Sequence, residues 1–447
     1  MLLPALYVWL LEPPVSRRGR LWATSRVTFT FAVWFLGGAL LLEGFLRLRP
    51  DFVAGPVRVF LPAFGDYLTQ GRARARFPDP VLGYRLDPDF QYFQPTTACD
   101  GDLYHLGHAF PTDWELENLD RTPSPELVLD ARGFRGLSGR GDRRLLFLGD
   151  SFVDNWRYPL ADNWCNRVGA ALARQVVVMG VGGYGVPQEA IALHQHFSAY
   201  RPHGVLHCIF TGNDIYDAQV FTAWRASGLP LWQWEIRDSR PLERSPTLAY
   251  AAALFSPFWQ RRHEERAARW KTDNLQPFRG VIGGASMTLA FHPIYLRNVA
   301  ASSAEIMAQP GWPPTVAGLV ACRRLCEKHG ARYGLVILPS KADVYLPHIL
   351  DQVDGLALLR AAEAPPYTPG HAHRFKEAVK SHRNGTAAAV AAWAKEAGVP
   401  VYDLSPAFFA AADEGKQTYL SFDTHWNDAG HRLAAETLAS LLAADGW

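Results

Sequence analysis

Cysteine is scarce in this 447-residue chain. There are five, Cys99, Cys165, Cys208, Cys322 and Cys326, an odd number with no CxxC spacing, which excludes a disulfide-stapled scaffold and a zinc ribbon. An excess of one charge is also missing, since 45 Lys and Arg face 43 Asp and Glu for a net charge of +2. Without a basic excess there is no electrostatic footprint for nucleic acid. With 48% hydrophobic and 20% charged residues, the composition is not that of a disordered chain. Internal repeats and low-complexity tracts are absent. Long apolar runs are absent too, with one exception.

That exception is residues 27–46, VTFTFAVWFLGGALLLEGFL, in which Glu43 is the only charge. As a helix rising 1.5 Å per residue it would extend about 30 Å, the thickness of a bilayer core. Arg17, Arg18, Arg20 and Arg26 precede it, as positive flanks do on the cytoplasmic side. The run is longer than the apolar region of a signal peptide. The expectation is an uncleaved single-pass anchor in the cytoplasmic (inner) membrane. Residues 1–26 would be cytoplasmic and everything beyond 46 periplasmic or extracellular, so the lipid bilayer is an expected partner.

Residues 47–140 are rich in Pro, Asp and aromatics without a sustained period, and read as a loop-rich collar. From residue 141 onward, short β-type runs alternate with helical patterns. Runs at 144–148, 176–179, 205–210, 333–338 and 399–404 alternate with helices at 188–200, 316–329, 386–397 and 428–442. Asn427 stands where the last helix needs an N-cap. This rhythm predicts an open α/β fold, a flavodoxin-like three-layer α/β/α sandwich with a central parallel sheet and its site at the carboxyl ends of the strands. Residues 215–314 interrupt it and read as an insertion, because structureless loops beyond about 15 residues are uncommon.

Four strand ends or loops carry residues with chemical potential. The first run delivers Gly149-Asp150-Ser151. The second delivers Gly180-Val181-Gly182-Gly183-Tyr184-Gly185, where backbone N–H groups can approach a ligand closely. The third delivers Thr211-Gly212-Asn213-Asp214, and Asp423-Thr424-His425-Trp426 precedes the last helix. The order Ser151, Gly183, Asn213, His425 resembles the SGNH, or GDSL, hydrolase superfamily over about residues 143–447. The resemblance implies an SGNH hydrolase fold without a cofactor or metal. It implies Ser151 as nucleophile, His425 as general base and Asp423 as the group orienting it. The N–H of Ser151, the N–H of Gly183 and the amide of Asn213 would form the oxyanion hole.

The commonest last block in that superfamily is DxxH, whereas Asp423 and His425 are separated by one residue. The Asp-x-His-Trp form is similar to alginate-type SGNH-like O-acetyltransferases, which carry it before the serine rather than after. Asp79-Pro80-Val81-Leu82-Gly83-Tyr84, Gly133-Phe134-Arg135 and Pro339-Ser340-Lys341 resemble segments of membrane-anchored bacterial SGNH proteins. The expected activity is a serine esterase cleaving or transferring an acyl group, acetyl by analogy, on a glycan or similar small ester, with Lys341 and Trp426 as substrate contacts. Alternatives are polysaccharide O-acetylation as the main activity, and a non-catalytic glycan-binding or assembly protein.

Other readings compete locally. Gly180, Gly182 and Gly185 also satisfy GxGxxG, with Asp214 in the acidic position of a dinucleotide fold, but this leaves Ser151 and His425 unexplained. Cys99, Asp100, Asp102, His105 and His108 are ligand types in one stretch that reads as a solvated loop. Cys322 and Cys326, four apart on a helix, read as small core residues. Arg261, Arg262, Arg266, Arg269 and Lys271 read as a solvated helix face that could also touch anionic lipid or polysaccharide.

Overall fold

A computed structural model describes residues 17–48, 76–86, 129–155, 158, 160–229, 234, 247, 277–421 and 424–447. The ligand-type stretch at 99–108, the basic stretch at 261–271 and Asp423 lie outside them. The chain divides into two compact units, one of residues 1–72 and 235–263, the other of residues 73–234 and 264–447.

In the first unit a helix runs from Arg17 to Leu48. Its segment Thr28–Leu46 is long and apolar enough to cross a membrane. Phe29, Trp34 and Leu41 are more than 70% exposed. The charge within it is engaged: the Glu43 carboxylate accepts the Thr247 N–H at 3.0 Å, and the Thr247 hydroxyl donates to the Ala39 carbonyl at 3.4 Å.

The second unit is built on a six-stranded sheet. Its members are β3 (Gly136–Gly139), β4 (Arg144–Gly149), β5 (Gln175–Gly180), β6 (Gly204–Phe210), β9 (Arg332–Leu338) and β10 (Val401–Asp403), in the order β10-β9-β6-β4-β5-β3. Two hairpins stand apart from it, β1 (Arg76–Asp79) with β2 (Gly83–Leu86), and β7 (Phe278–Ile282) with β8 (Ala285–Leu289). Neighbours from β5 to β10 are parallel and β3 pairs antiparallel with β5. Alternate residues feed two cores. Leu145 and Phe147 of β4, with Leu206 and Phe210 of β6, face one; Leu146, Leu148, Val205 and Ile209 face the other. Strands covered on both faces read as continuous apolar runs, which is why β4, β5, β6 and β9 are evident in the sequence. The helices Trp164–Ala171 and Asp428–Ala444 cover the first face, and Val186–Tyr200, Trp312–Lys328 and Gly385–Ala397 the second. This is the three-layer α/β/α sandwich of the SGNH hydrolase fold.

Among the described residues, parts of the collar and of the expected insertion form regular elements. The collar supplies β1, β2 and the antiparallel edge β3, so the sheet is mixed and begins at Gly136. Within the expected insertion, the Asp214–Ser227 helix follows directly from β6. Phe278, Met287, Leu289, Phe291, Tyr295 and Leu296 join the same core as β4. The segment 277–299 is therefore packed into the core of the second unit.

Candidate active site

Chain order and strand order together give the sheet a switch point, where a site is expected. β4 leads to β5 on one side and β6 returns on the other, so the crossover direction reverses between β4 and β6, and ligands in open α/β sheets bind at such a switch point. Ser151 follows β4 and Asn213 follows β6, at the carboxyl ends of neighbouring strands.

Ser151 begins a single helical turn, Ser151–Asp154. Asp150 caps it, its Oδ1 accepting the Phe152 N–H at 2.9 Å. The turn is held from below by Arg135 of the Gly133-Phe134-Arg135 motif. Its buried guanidinium donates to the carbonyls of Asp154 and Asn155 at 3.0 Å each and to that of Tyr158 at 2.7 Å, satisfying carbonyls that a helix end leaves open. Gly180 passes close beneath, since a Cβ there would lie 2.2 Å from the Asp154 nitrogen. That close approach explains a glycine at the end of β5.

His425 Nε2 lies 2.7 Å from Ser151 Oγ, within reach for proton transfer. The imidazole leans on the Phe152 ring at 4.8 Å between centroids. Its loop closes on itself: Leu420 N–H donates to the His425 carbonyl at 3.0 Å, and Tyr419 bridges Trp426. Asn427 caps the following helix through Gly430 N–H. The Asp150 carboxyl is 3.5 Å from Ser151 Oγ. Burial pushes it up to about 6, opposed by the Phe152 N–H and the charge of His425.

Asn213 caps the helix Asp214–Ser227, and its Nδ2 donates to Asp217 Oδ2 at 2.5 Å. An amide has two N–H donors, so one remains for a ligand. Asn298 Nδ2 braces this loop through the Gly212 carbonyl at 2.7 Å. Gly183 is exposed with φ +81°, a left-handed conformation that favours glycine. The collar motif at 79–84 clamps the same loop: Tyr84 hydroxyl donates to the Gly182 carbonyl at 2.7 Å, Tyr184 hydroxyl to the Tyr84 carbonyl, and Gln188 Nε2 to the Leu82 carbonyl at 2.8 Å.

The dinucleotide reading fails on Asp214, whose buried carboxylate accepts the Phe210 N–H at 2.8 Å rather than facing a ribose. Gly185 is required because its Cβ would meet the Ala218 nitrogen at 2.5 Å. Behind the site Glu189 and His207 are 2.7 Å apart, a salt-bridge distance. Burial raises the glutamate well above its ordinary range and lowers the histidine to about 3, which favours the neutral form of each. His207 Nδ1 is 2.8 Å from the Tyr333 hydroxyl.

Two expected substrate contacts need correction. Trp426 is 0% exposed, stacked on Phe408 and edge-on to Trp164. Lys341 is 1% exposed, its ammonium turned inward to backbone carbonyls. Neither reaches a substrate in this structure, because both lie beneath the site rather than on it. Sequence reasoning missed Arg135, Tyr84 and Asn298 as supports. The first two lie in the 79–84 and 133–135 motifs, whose purpose only the fold reveals. Among the described residues no group of His, Cys, Asp and Glu is placed to hold a metal ion.

Residues 365–446 match the family described as the SGNH hydrolase-like domain of acetyltransferase AlgX, a segment that contains His425 but not Ser151. No curated protein matches the chain. Among solved structures the chain is similar to a lipolytic protein of the G-D-S-L family from Veillonella parvula DSM 2008, 12% identical over 68% of this chain and 99% of that one, with a TM-score of 0.30. It is likewise similar to a catalytic mutant of the acetylxylan esterase Axe2 from Geobacillus stearothermophilus, 14% identical over 69% and 96%, TM-score 0.30. A third is the inhibitor-bound aryl esterase of M. smegmatis, 11% identical over 68% and 99%, TM-score 0.31. From its α/β/α sheet, the ordered motif blocks and the matched C-terminal segment, the chain carries an SGNH hydrolase-like domain and is an enzyme of the ester hydrolase or O-acyltransferase kind.

Proposed function

We propose that the protein is a membrane-anchored serine esterase or acyltransferase that removes or transfers an acetyl group on a glycan or similar ester outside the cytoplasmic membrane. The observation that carries the chemistry is the 2.7 Å contact between Ser151 Oγ and His425 Nε2 at the sheet's switch point. A serine hydroxyl is a weak nucleophile at neutral pH. With His425 taking its proton, Ser151 attacks the acyl carbonyl. The oxyanion is met by the N–H groups of Ser151 and Gly183 and the free N–H of Asn213, each such donor contributing about 3 kcal/mol. His425 then protonates the departing alcohol, leaving an acyl-serine that water or a second hydroxyl resolves. Asp423, outside the described residues, is assigned to hold the imidazole from its place two residues before His425. The helix Arg17–Leu48 supports the anchor.

Acetyl as the acyl group rests on the match to an acetyltransferase domain, which also favours transfer over hydrolysis as the second reading. The full chain in detergent micelles should hydrolyse p-nitrophenyl acetate. Activity undiminished in Ser151→Ala would refute the catalytic assignment. Acetylated product formed from an acyl donor and an oligosaccharide acceptor would select transfer, and release of acetate alone would select hydrolysis.

A further inference from the structure

We propose that Lys341 is a positioning residue: from inside the core, its ammonium sets the height of the His425 loop against Ser151. The proposal rests on the reading of Ser151 and His425 as nucleophile and base. Nζ donates to the Leu420 carbonyl at 3.0 Å and to the Ser421 carbonyl at 2.8 Å, and sits 5.8 Å from the centre of the Phe291 ring. Successive carbonyls of an extended strand point to opposite sides, so one donor group that reaches both makes the backbone curl around it. The Ser421 carbonyl also accepts the Ala290 N–H at 2.8 Å, which closes the curl from the β7–β8 side. Because Leu420 N–H is bonded to the His425 carbonyl, the position of 420–421 is passed directly to the histidine.

Burying an ammonium costs several kcal/mol, and Lys341 is the first residue of the helix Lys341–Ile349, where the helix dipole disfavours a cation. A methionine would remove that charge but leave the Leu420 carbonyl without its Nζ donor. The other side of Lys341 is firmly anchored. Ser340 N–H donates to Thr211 Oγ1 at 2.8 Å, and both hydroxyls, Thr211 at 2.7 Å and Ser340 at 2.6 Å, donate to Asp343 Oδ2. Thr211 precedes Asn213 by two residues. One hydrogen-bonded chain therefore runs from the loop of Asn213, through the end of β9 and Lys341, to the loop of His425.

The test uses the full-length protein in detergent micelles with p-nitrophenyl acetate as substrate. Lys341→Met should lower kcat by about 10- to 100-fold, the cost of a misplacement near 1 Å, with KM within about twofold and the melting temperature lowered by no more than about 10 °C, so that the variant is folded at assay temperature. Labelling of Ser151 by a fluorophosphonate should slow in proportion. Lys341→Gln, which keeps a neutral donor, should fall between, and it decides the matter if Lys341→Met does not fold. A kcat within about twofold of the parent in the folded variants would overturn the proposal, as would a loss accounted for entirely by a smaller folded fraction. Ser151→Ala separates the two levels. If it stays active, the reading of the site has failed. If it is inactive while Lys341→Met keeps full kcat, only the role of Lys341 has failed.

Discussion

Replacing Asp150 with asparagine separates two things that its carboxylate does at once. The group is 2% exposed, and burial raises it from 3.8 to about 6. A proton is thus held more tightly in the folded chain than in the unfolded one. The resulting penalty is absent below pH 3.8, grows as the pH rises through 3.8 to about 6, and is complete above that, where it amounts to about 3 kcal/mol. Asparagine keeps an oxygen for the Phe152 N–H, and the charge assistance of that bond is already contained in the shift to about 6. The net expectation is that Asp150→Asn is more stable than the parent by about 3 kcal/mol at pH 8 and no more stable at pH 4. Activity should move oppositely, because the same charge favours the protonated His425 that forms during the reaction. A loss of about tenfold in kcat is expected. Urea midpoints of the full-length protein in micelles at the two pH values, with esterase rates at pH 8, measure both. A variant no more stable than the parent at pH 8, or stabilised equally at pH 4, would refute the reasoning.

Four further substitutions probe the site and its surroundings. Gly180→Ala places a Cβ 2.2 Å from the Asp154 nitrogen and 2.8 Å from the Asp150 carbonyl oxygen, so chemical denaturation should show a loss of about 3 kcal/mol or more. Gly228→Ala, at φ +67° in open space, should cost only about 1 kcal/mol and leave activity intact. Asn213→Ala should lower kcat by roughly 100-fold with little change in KM, as loss of an oxyanion donor does; a change confined to KM would exclude that role. Glu189→Gln should change stability by less than about 1 kcal/mol, because an amide can replace a protonated carboxyl against neutral His207. A loss of about 3 kcal/mol would reveal a true ion pair instead.

The parts of the fold evident in the sequence are those where a local pattern and the tertiary requirement coincide. β4 and β6 are apolar on both faces, and the helix Asp428–Ala444 has its Asn427 cap. Each was readable to within one or two residues. β3 was not, because GLSG has no apolar alternation and is a strand only through its pairing with β5. The helices Lys341–Ile349 and Pro369–His382 escaped for a related reason, since each includes polar or proline residues whose tolerance depends on contacts elsewhere. Within the site, reactive residue types at strand ends were legible because chemistry restricts them. The direction of a side chain was not. Lys341 and Trp426 follow a strand and a histidine, as substrate contacts would, yet both turn inward, a choice decided by packing from residues such as Phe291 and Phe408.

The borders of the sheet bear on behaviour in crowded solution. At one border β3 is four residues long and has glycines with positive φ at both ends, Gly136 at 70° and Gly139 at 82°. At the other, β10 has three residues. A straight, unpaired border invites a strand from a neighbouring molecule. Here the ladder stops before such a partner could gain more than a few backbone bonds. Copies of the enzyme brought to high local density should therefore meet through side chains rather than by extending one another's sheets, and resist fibrillar self-association.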